Sequence, residues 1–598
     1  MAVAYNISHK YKILLLTLLS ILAFVGINLS GMPVKSISFR PSDPKAEATV
    51  VASPHMHQIT SQKNHDVIVE FEYKGYGNTS LRLTPAKCLL PKYRINGKKV
   101  VFKPSNKNDL CTEMIVDFRD QLVIGKNILE MQLTPYESPR FKQYPFFVLL
   151  TAGAPLFGKD LLQSICTAIF IVSIASIIWI NLKISMHDFI TRSLFMAGCL
   201  LSLQWLYLVY QFIDSTDLDG HVAYINAMSN HFFRPYDYTG LEYWHPPLYY
   251  WICAIIVKIL GVFGVIDPWT GIRFFSVILR AILLYYGMQC FRLFLKGHYL
   301  YLALGLLVTW PSGLYQSTYI SNDVFYYAFY AACFFYTCLW HQTLSPQHLL
   351  KALIFCGLGF MAKTAGAVPA FVLAATLVSN LFYRRCTLKS LLNKKVILGC
   401  CVVAFGIIFN LGRWIHSLFW LNQGMPENYL GGLGYSNVSI QRVLSFNLSE
   451  LIDRPFNLQQ RYIYYINFLV TSILLTALTW KATAIASMLH VLHLSLLGFM
   501  ATGIAAISPR NMKKMTPVFY GVILPFIAIF TFLVVRRIIW CLDFRFIQPA
   551  LIPMIILIII GIKSMQRWRW KLFHTAAIAA VIAFIELSIV LFQLQMLN

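Results

Sequence analysis

From residue 159 to the C-terminus the chain alternates long apolar runs with short polar loops. The runs near 159–181, 191–213, 271–291, 300–320, 323–340, 349–363, 366–382, 396–412, 486–506, 517–534, 546–562 and 573–594 predict twelve membrane-spanning helices by their length and flanking charge. One more apolar run, about 18 residues long, follows His9–Lys12 (HKYK) and ends near Leu29. Its length and basic flank suit either a cleaved signal peptide or a first membrane helix. A retained helix is expected, because no small-x-small cleavage pattern follows it. The pattern changes between Met32 and about Pro145. Val67–Tyr73 (VIVEFEY), Ser80–Thr84 (SLRLT) and Ile128–Thr134 (ILEMQLT) alternate with a period of two, as half-buried strands do. Asn96-Gly97 within INGKKV, and the IGKN stretch at Ile124–Asn127, supply the turn residues that tight hairpins need.

These patterns predict a polytopic α-helical membrane protein of about 13 membrane helices, carrying an extracytoplasmic β-sandwich or jelly-roll domain near its N-terminus. The expected division is a first membrane helix at 1–31, the β domain at 32–150, a second membrane helix and cytoplasmic loop at 151–190, and a membrane domain at 191–598. The G-x-N-x-L strand at Gly125–Leu129 and the Asn-Gly hairpin are similar to those of jelly-roll modules that bind carbohydrate. A β domain that only packs on the membrane part fits the same pattern. Its two cysteines, Cys88 and Cys111, would be free to pair in an oxidising compartment if their geometry allows.

Composition narrows the function class. Of 598 residues, 57% are hydrophobic and 13% charged, against about 25% charged in soluble domains. The net charge of +25 would suggest nucleic acid in a soluble protein. Here the basic residues sit in short loops beside apolar runs, which is a topology signal, so no nucleic-acid partner is expected. With alternation, the loops at Phe291–Lys296, Tyr383–Lys395, Pro509–Lys514 and Lys563–Lys571 fall on the side of the N-terminus, the cytoplasm. The opposite face then holds the β domain, the loop after 213, the loop from about Arg413 to Met488, and Arg536–Arg545. Asn-x-Ser/Thr triplets at Asn78, Asn437 and Asn447 lie on that outer side and do not decide the compartment; a bacterial inner membrane is the expected location. The thirteen cysteines show no metal-ligand spacing.

The candidate chemistry concentrates between Asp214 and Trp251. Asp214, Asp217, Asp219, Asp237, Glu242, His221 and His245 crowd one segment between apolar runs, where ionisable groups are costly. Asp217 and Asp219 share a side only in extended or turn backbone, since on a helix they diverge by about 200°. Such a pair can act as general base or hold a divalent cation. The competing structural reading makes Asp the N-cap of a helix over HVAYINAM. At His245–Tyr250 (HPPLYY) two prolines predict an abrupt change from loop to an interfacial helix, with Tyr249, Tyr250 and Trp251 at the membrane boundary.

Taken in order, D-x-D-x-H-x-x-Y (Asp217–Tyr224) and E-x-x-H-P-P-L-Y-Y (Glu242–Tyr250) resemble the first external loop of GT-C membrane glycosyltransferases, near the protein O-mannosyltransferase and lipid A aminoarabinose transferase groups. Ser321–Asp323 (SND), Gly357–Thr364 (GLGFMAKT) and Asp543–Pro553 (DFRFIQPALIP) continue the resemblance. The chain departs from the pattern at Asp217-Leu218, where many of these enzymes carry Asp-Glu.

The resemblance implies inverting transfer of a sugar from a polyprenyl-phosphate donor to a hydroxyl of a glycan, lipid or protein acceptor, among membrane lipids. It implies Asp217 as catalytic base with Asp219 as the substitute, and His221, Glu242, His245, Asp323, Lys363 and Arg545 as substrate-binding residues. Arg413 and Arg536 are further outer-face cations. Should Mg or Mn take part, Asp217, Asp219 and Asp323 are the expected oxygen ligands. A lipid-linked sugar transporter or flippase would need internal repeats or broken helices, and a glycan-binding receptor would not need the acidic loop.

Overall fold

The computed structural model describes residues 34–41, 49–51, 57–59, 65–73, 80–85, 92–100, 114–117, 123, 125–133, 146–152, 188–209, 218–230, 245–262, 268–419, 444–456, 463–475, 484–536, 543–567 and 571–597. The chain divides into two compact units. The first membrane run, the run at 159–181, Cys88 and Cys111 lie outside the described residues.

Among the described residues the first unit contains ten strands: β1 (Val34–Pro41), β2 (Thr49–Val51), β3 (His57–Ile59), β4 (His65–Tyr73), β5 (Ser80–Pro85), β6 (Lys92–Ile95), β7 (Lys98–Val100), β8 (Met114–Asp117), β9 (Gly125–Leu133) and β10 (Phe146–Ala152). They form two antiparallel sheets, β2-β1-β4-β9-β6-β7 and β3-β10-β5-β8. Asn96 and Gly97 have φ of 49° and 78°, the left-handed pair that a two-residue hairpin requires. The two sequence signals of this region turn out to be one network. Asn96 Nδ2 donates to Asn127 Oδ1 at 2.9 Å, Ile128 N–H donates to Asn96 Oδ1 at 2.9 Å, and fully buried Asn127 exchanges bonds with the Val123 backbone at 2.7 and 2.9 Å. The asparagine of G-x-N-x-L therefore locks the hairpin onto β9.

The second unit is helical. Its elements are α1 (Phe189–Val209), α2 (Leu218–Asn230), α3 (Leu248–Val262), α4 (Pro268–Phe294), α5 (His298–Thr309), α6 (Pro311–Tyr315), α7 (Asn322–Thr343), α8 (Pro346–Ala362), α9 (Ala367–Phe382), α10 (Leu388–Leu391), α11 (Lys394–Phe419), α12 (Leu448–Asp453), α13 (Tyr465–Leu474), α14 (Ala484–Ala506), α15 (Pro509–Arg536), α16 (Leu551–Arg567) and α17 (Lys571–Leu597), of which α1, α3 and α4 extend partly into the first unit. Among the described residues, seven helices are long and apolar enough to cross a membrane. Large apolar side chains such as Phe382 (81% exposed), Leu572 (79%) and Ile408 (67%) point away from the protein. With those spans, this makes the chain an integral membrane protein, since lipid is the solvent such surfaces tolerate.

Helix α16 is the axis of the bundle, with 83% of its apolar span buried against 33% for α17. It packs closely on α14 because glycines meet there: a Cβ on Gly561 would lie 1.9 Å from the Phe499 carbonyl oxygen, and one on Gly503 2.0 Å from that of Leu557. Trp340, Leu349, Ala352, Leu373 and Val396 form a buried cluster that ties α7, α8, α9 and α11 together.

Two expectations are corrected. The run at 300–320 is not one helix: α5 stops at Thr309, and Trp310 takes an extended backbone (ψ 118°) before Pro311 opens α6 and a 3-10 turn at Gln316–Thr318. Proline excludes the helical conformation for its predecessor, and that overrides hydropathy. Tyr249 and Tyr250 are 0% exposed, packed inside instead of facing the membrane boundary.

Candidate functional site

Helices α7 and α8 are antiparallel neighbours, so the N-terminus of α7 lies beside the C-terminus of α8, where Asn322 Nδ2 reaches the Ala362 carbonyl at 3.5 Å. Ser321 caps α7, accepting the Asp323 N–H at 3.1 Å, and its hydroxyl lies 3.3 Å from the Asp323 carboxylate. The chain leaves α8 at Lys363, whose extended backbone (φ −156°, ψ 147°) aims the side chain back at α7. Gly366 makes this turn possible, since a Cβ there would lie 2.4 Å from the Gly359 carbonyl carbon. The result is a buried ion pair between Lys363 Nζ and the Asp323 carboxylate.

Arg545 joins from the 3-10 turn at Phe544–Ala550, which Asp543 caps by accepting the Arg545 N–H at 3.0 Å. Both cations lie over the Phe546 ring, with Lys363 Nζ 4.9 Å and the Arg545 guanidinium carbon 4.8 Å from its centroid, both in cation–π range. Tyr327, one helical turn beyond Asp323, donates its hydroxyl to the Arg545 carbonyl. Lys363, Arg545 and His221 all act electrostatically on the Asp323 carboxylate.

His221 brings in the acidic loop. Helix α2 begins at Leu218 and carries His221 and Tyr224. His221 Nδ1 is 2.8 Å from the Tyr250 hydroxyl, its ring is stacked 6.3 Å from that of His245, and the Tyr224 hydroxyl reaches the His245 carbonyl at 3.3 Å. The D-x-D-x-H-x-x-Y and HPPLYY stretches are thus one packed cluster. Helix α3 starts abruptly after Pro247, as the two prolines predict, with Trp251 N–H bonded to the Pro247 carbonyl at 2.8 Å.

Of the residues singled out from sequence, the structure gathers His221, His245, Asp323, Lys363 and Arg545. Asp217 and Glu242 lie outside the described residues, as do the side chains of Asp219, Arg413 and Arg536. Among the described residues no group of three or more His, Cys, Asp or Glu is placed to hold a metal ion. Asp323 is engaged by Lys363, so a cation would have to displace an ammonium to use it. The sequence reading gave no role to Tyr327 or Phe546, took Tyr224 only as the end of a motif and set Tyr250 at the membrane boundary. It also passed over Arg280 on α4 and Gln316 in the break after α5, both buried. For Arg280 there was a signal: an arginine within an apolar span marks function by default.

Fold and site define an integral membrane protein with a buried charged cluster built from distant loops. Residues 244–411 match the model of the dolichyl-phosphate-mannose-protein mannosyltransferase family, a family of the GT-C glycosyltransferase superfamily. The match takes in His245–Tyr250, Asp323 and Gly357–Thr364, and leaves out Asp217, Asp219, His221, Glu242 and Arg545. Among curated proteins, none matches the chain.

Proposed function

We propose that this chain is a glycosyltransferase that moves a sugar from a polyprenyl-phosphate donor to an acceptor hydroxyl at the outer membrane face, with inversion at the anomeric carbon. The observation that carries the reading is the gathering of Asp323, Lys363, Arg545 and His221 from four separate elements into one site. In the reaction the acceptor oxygen attacks the anomeric carbon from the side opposite the phosphate. The C1–O bond to the phosphate breaks, its electrons leave with the lipid phosphate, and Asp217 takes the acceptor's proton, with Asp219 as its substitute. Negative charge grows on the departing phosphate, where positioned cations stabilise it most. Lys363 and Arg545, both over the Phe546 ring, are those cations, while Asp323 holds Lys363 in place. His221, His245 and Glu242 shape the seat for sugar and acceptor. The bacterial inner membrane, with the site facing the periplasm, is the compartment that suits a lipid-linked donor and the charge pattern of the loops.

Kinetics with a polyprenyl-phosphate sugar test the donor site. Lys363→Ala and Arg545→Ala raise the apparent KM for donor, each losing a charge-assisted contact of about 1.5 to 3 kcal/mol. Unchanged donor kinetics in both variants remove them from the site. Where a divalent cation takes part, a chelator abolishes turnover in the same assay, and Asp217, Asp219 and Asp323 are the oxygens it depends on.

A further inference from the structure

Helix α7 carries the chain away from the charged cluster, and His341 lies about 27 Å along it from Asp323. Three helices meet there. His341 Nε2 donates to the Lys513 carbonyl of α15 at 2.7 Å, which leaves Nδ1 to accept from Asn380 Nδ2 of α9 at 3.0 Å. Arg385 Nη1 donates to Asn380 Oδ1 at 3.3 Å and stands 3.0 Å from the same His341 Nε2. Both partners are buried and neither is an acid, so the guanidinium is held in place without a countercharge from them. The backbone is bent to do this. Arg384 takes the left-handed conformation (φ 54°) that glycine usually supplies at a helix end, and the Arg385 N–H bonds back to the Asn380 carbonyl at 2.9 Å. Lys513 adds a second cation, its Nζ 5.0 Å from the Tyr383 ring centroid.

No carboxylate is available from these elements. The chain has no Asp or Glu between Asp323 and Glu427, nor between Asp453 and Asp543. Arg384, Lys394, Lys513 and Lys514 are exposed. Beside them α9 presents an outward apolar stripe, since Phe371, Val378 and Phe382, 61%, 61% and 81% exposed, follow one another at spacings that keep to one helix face. Cations at the end of an apolar stripe are what a phospholipid matches, with its acyl chains on the stripe and its phosphate among the cations. Basic loops alone would set orientation wherever their charges stood. Orientation does not call for an arginine fixed by buried neutral partners beside a lysine from another helix.

We propose that Arg385 and Lys513 seat the phosphate of an anionic phospholipid, at the end of the bundle that the charge distribution assigns to the cytoplasm. The guanidinium offers phosphate oxygens a fork of donors, the ammonium adds a point charge, and the acyl chains run along Phe382 and Val378. The seat lies at the far end of α7 from Lys363 and Arg545, and a chain without transferase activity keeps it.

Quenching of a single fluorophore reads the seat in the full chain. The fluorophore is attached to Val378→Cys on a cysteine-free background. The protein is reconstituted in phosphatidylcholine bilayers with rising fractions of phosphatidylglycerol, one lipid or the other carrying brominated acyl chains. Phosphatidylglycerol is enriched about tenfold or more over phosphatidylcholine at this position, and Arg385→Gln and Lys513→Gln each lower the enrichment about fivefold. Lys513→Gln leaves its carbonyl bonded to His341, so it tests the seat even where Arg385→Gln disturbs the helix end. Lys571→Gln is the control. It removes a cation at the start of α17, which packs on α5, α14 and α16, and leaves the enrichment unchanged. Absence of enrichment overturns the proposal and leaves the cations to a soluble anion or an acidic protein. An enrichment that survives Lys513→Gln, or that falls as far with Lys571→Gln, overturns it too, the latter by showing a general attraction of the whole face.

Discussion

Asp323 and Lys363 stabilise the site only as a pair. Their side chains are 13% and 8% exposed, so each charge has given up most of its water and depends on the other. Removing one partner of such a pair leaves a buried charge alone and costs about 3 to 5 kcal/mol, whereas replacing both with apolar groups is often close to neutral. Asp323→Leu and Lys363→Met alone therefore each destabilise the protein more than the double variant that carries both. Unfolding midpoints of the wild type, the two single variants and the double variant, a double-mutant cycle, check it. A cost for Asp323→Leu below about 1 kcal/mol, the range of exposed pairs, would show that the two charges are solvated and not locked together. The sequence placed both residues in the site through their motifs, but could not show that they bind each other. Forty residues separate them, and the contact exists only because α7 and α8 are antiparallel neighbours.

At the scale of elements, the turn between α8 and α9 sets where Lys363 points. Gly366 sits against the Gly359 backbone, with room for no side chain. Gly366→Ala forces the two helix ends apart and costs about 1 to 3 kcal/mol, as overpacking does, and donor KM rises because Lys363 moves with the turn. Gly498→Ala is the control. Nothing lies within 4 Å of its Cβ position, so helix propensity makes it neutral or stabilising by up to about 1 kcal/mol. Equal losses of stability in the two variants would contradict this account of the turn. Elements were legible from sequence where hydropathy and length agree, as for α1, α14 and α17. The break at Pro311 was written in the residue itself, yet the apolar run on either side hid it. The interior position of Tyr249 and Tyr250 was not legible, because their interfacial preference yields to the packing of His221 and Tyr224 against the start of α3.

For the whole molecule, the distribution of Lys and Arg sets the topology. The expected arrangement puts the β domain and the acidic loop outside, and the N-terminus and the Tyr383–Lys395 loop in the cytoplasm. Single cysteines on a cysteine-free background report this directly. A label at Ser105 reacts in intact cells stripped only of their outer layers, and one at Ser390 reacts only after the inner membrane is opened. The reverse pattern would turn the site to the cytoplasm and separate it from the donor face proposed here. Strands such as β4, β5 and β9 of the N-terminal region, and the Asn96-Gly97 turn, were legible from period-2 alternation and turn residues, both local signals. The site was legible as a set of motifs in order, while the packing of α2, α3, α7, α8 and the turn before α16 into one cluster depends on contacts between distant segments that no local pattern encodes.

The central claim is that the acidic loop supplies a base for transfer of a sugar to a hydroxyl. Such assistance typically contributes about 10² to 10⁴-fold, and Asp217→Asn keeps the size and most hydrogen bonds of the residue while removing its basicity. The decisive measurement is kcat of Asp217→Asn and Asp219→Asn with a polyprenyl-phosphate sugar, alongside donor binding in the same preparations. The account predicts that Asp217→Asn lowers kcat by at least about 10²-fold with donor binding intact. A dead Asp219→Asn beside a near wild-type Asp217→Asn would exchange their roles, and full activity in both would contradict the glycosyltransferase reading of this loop.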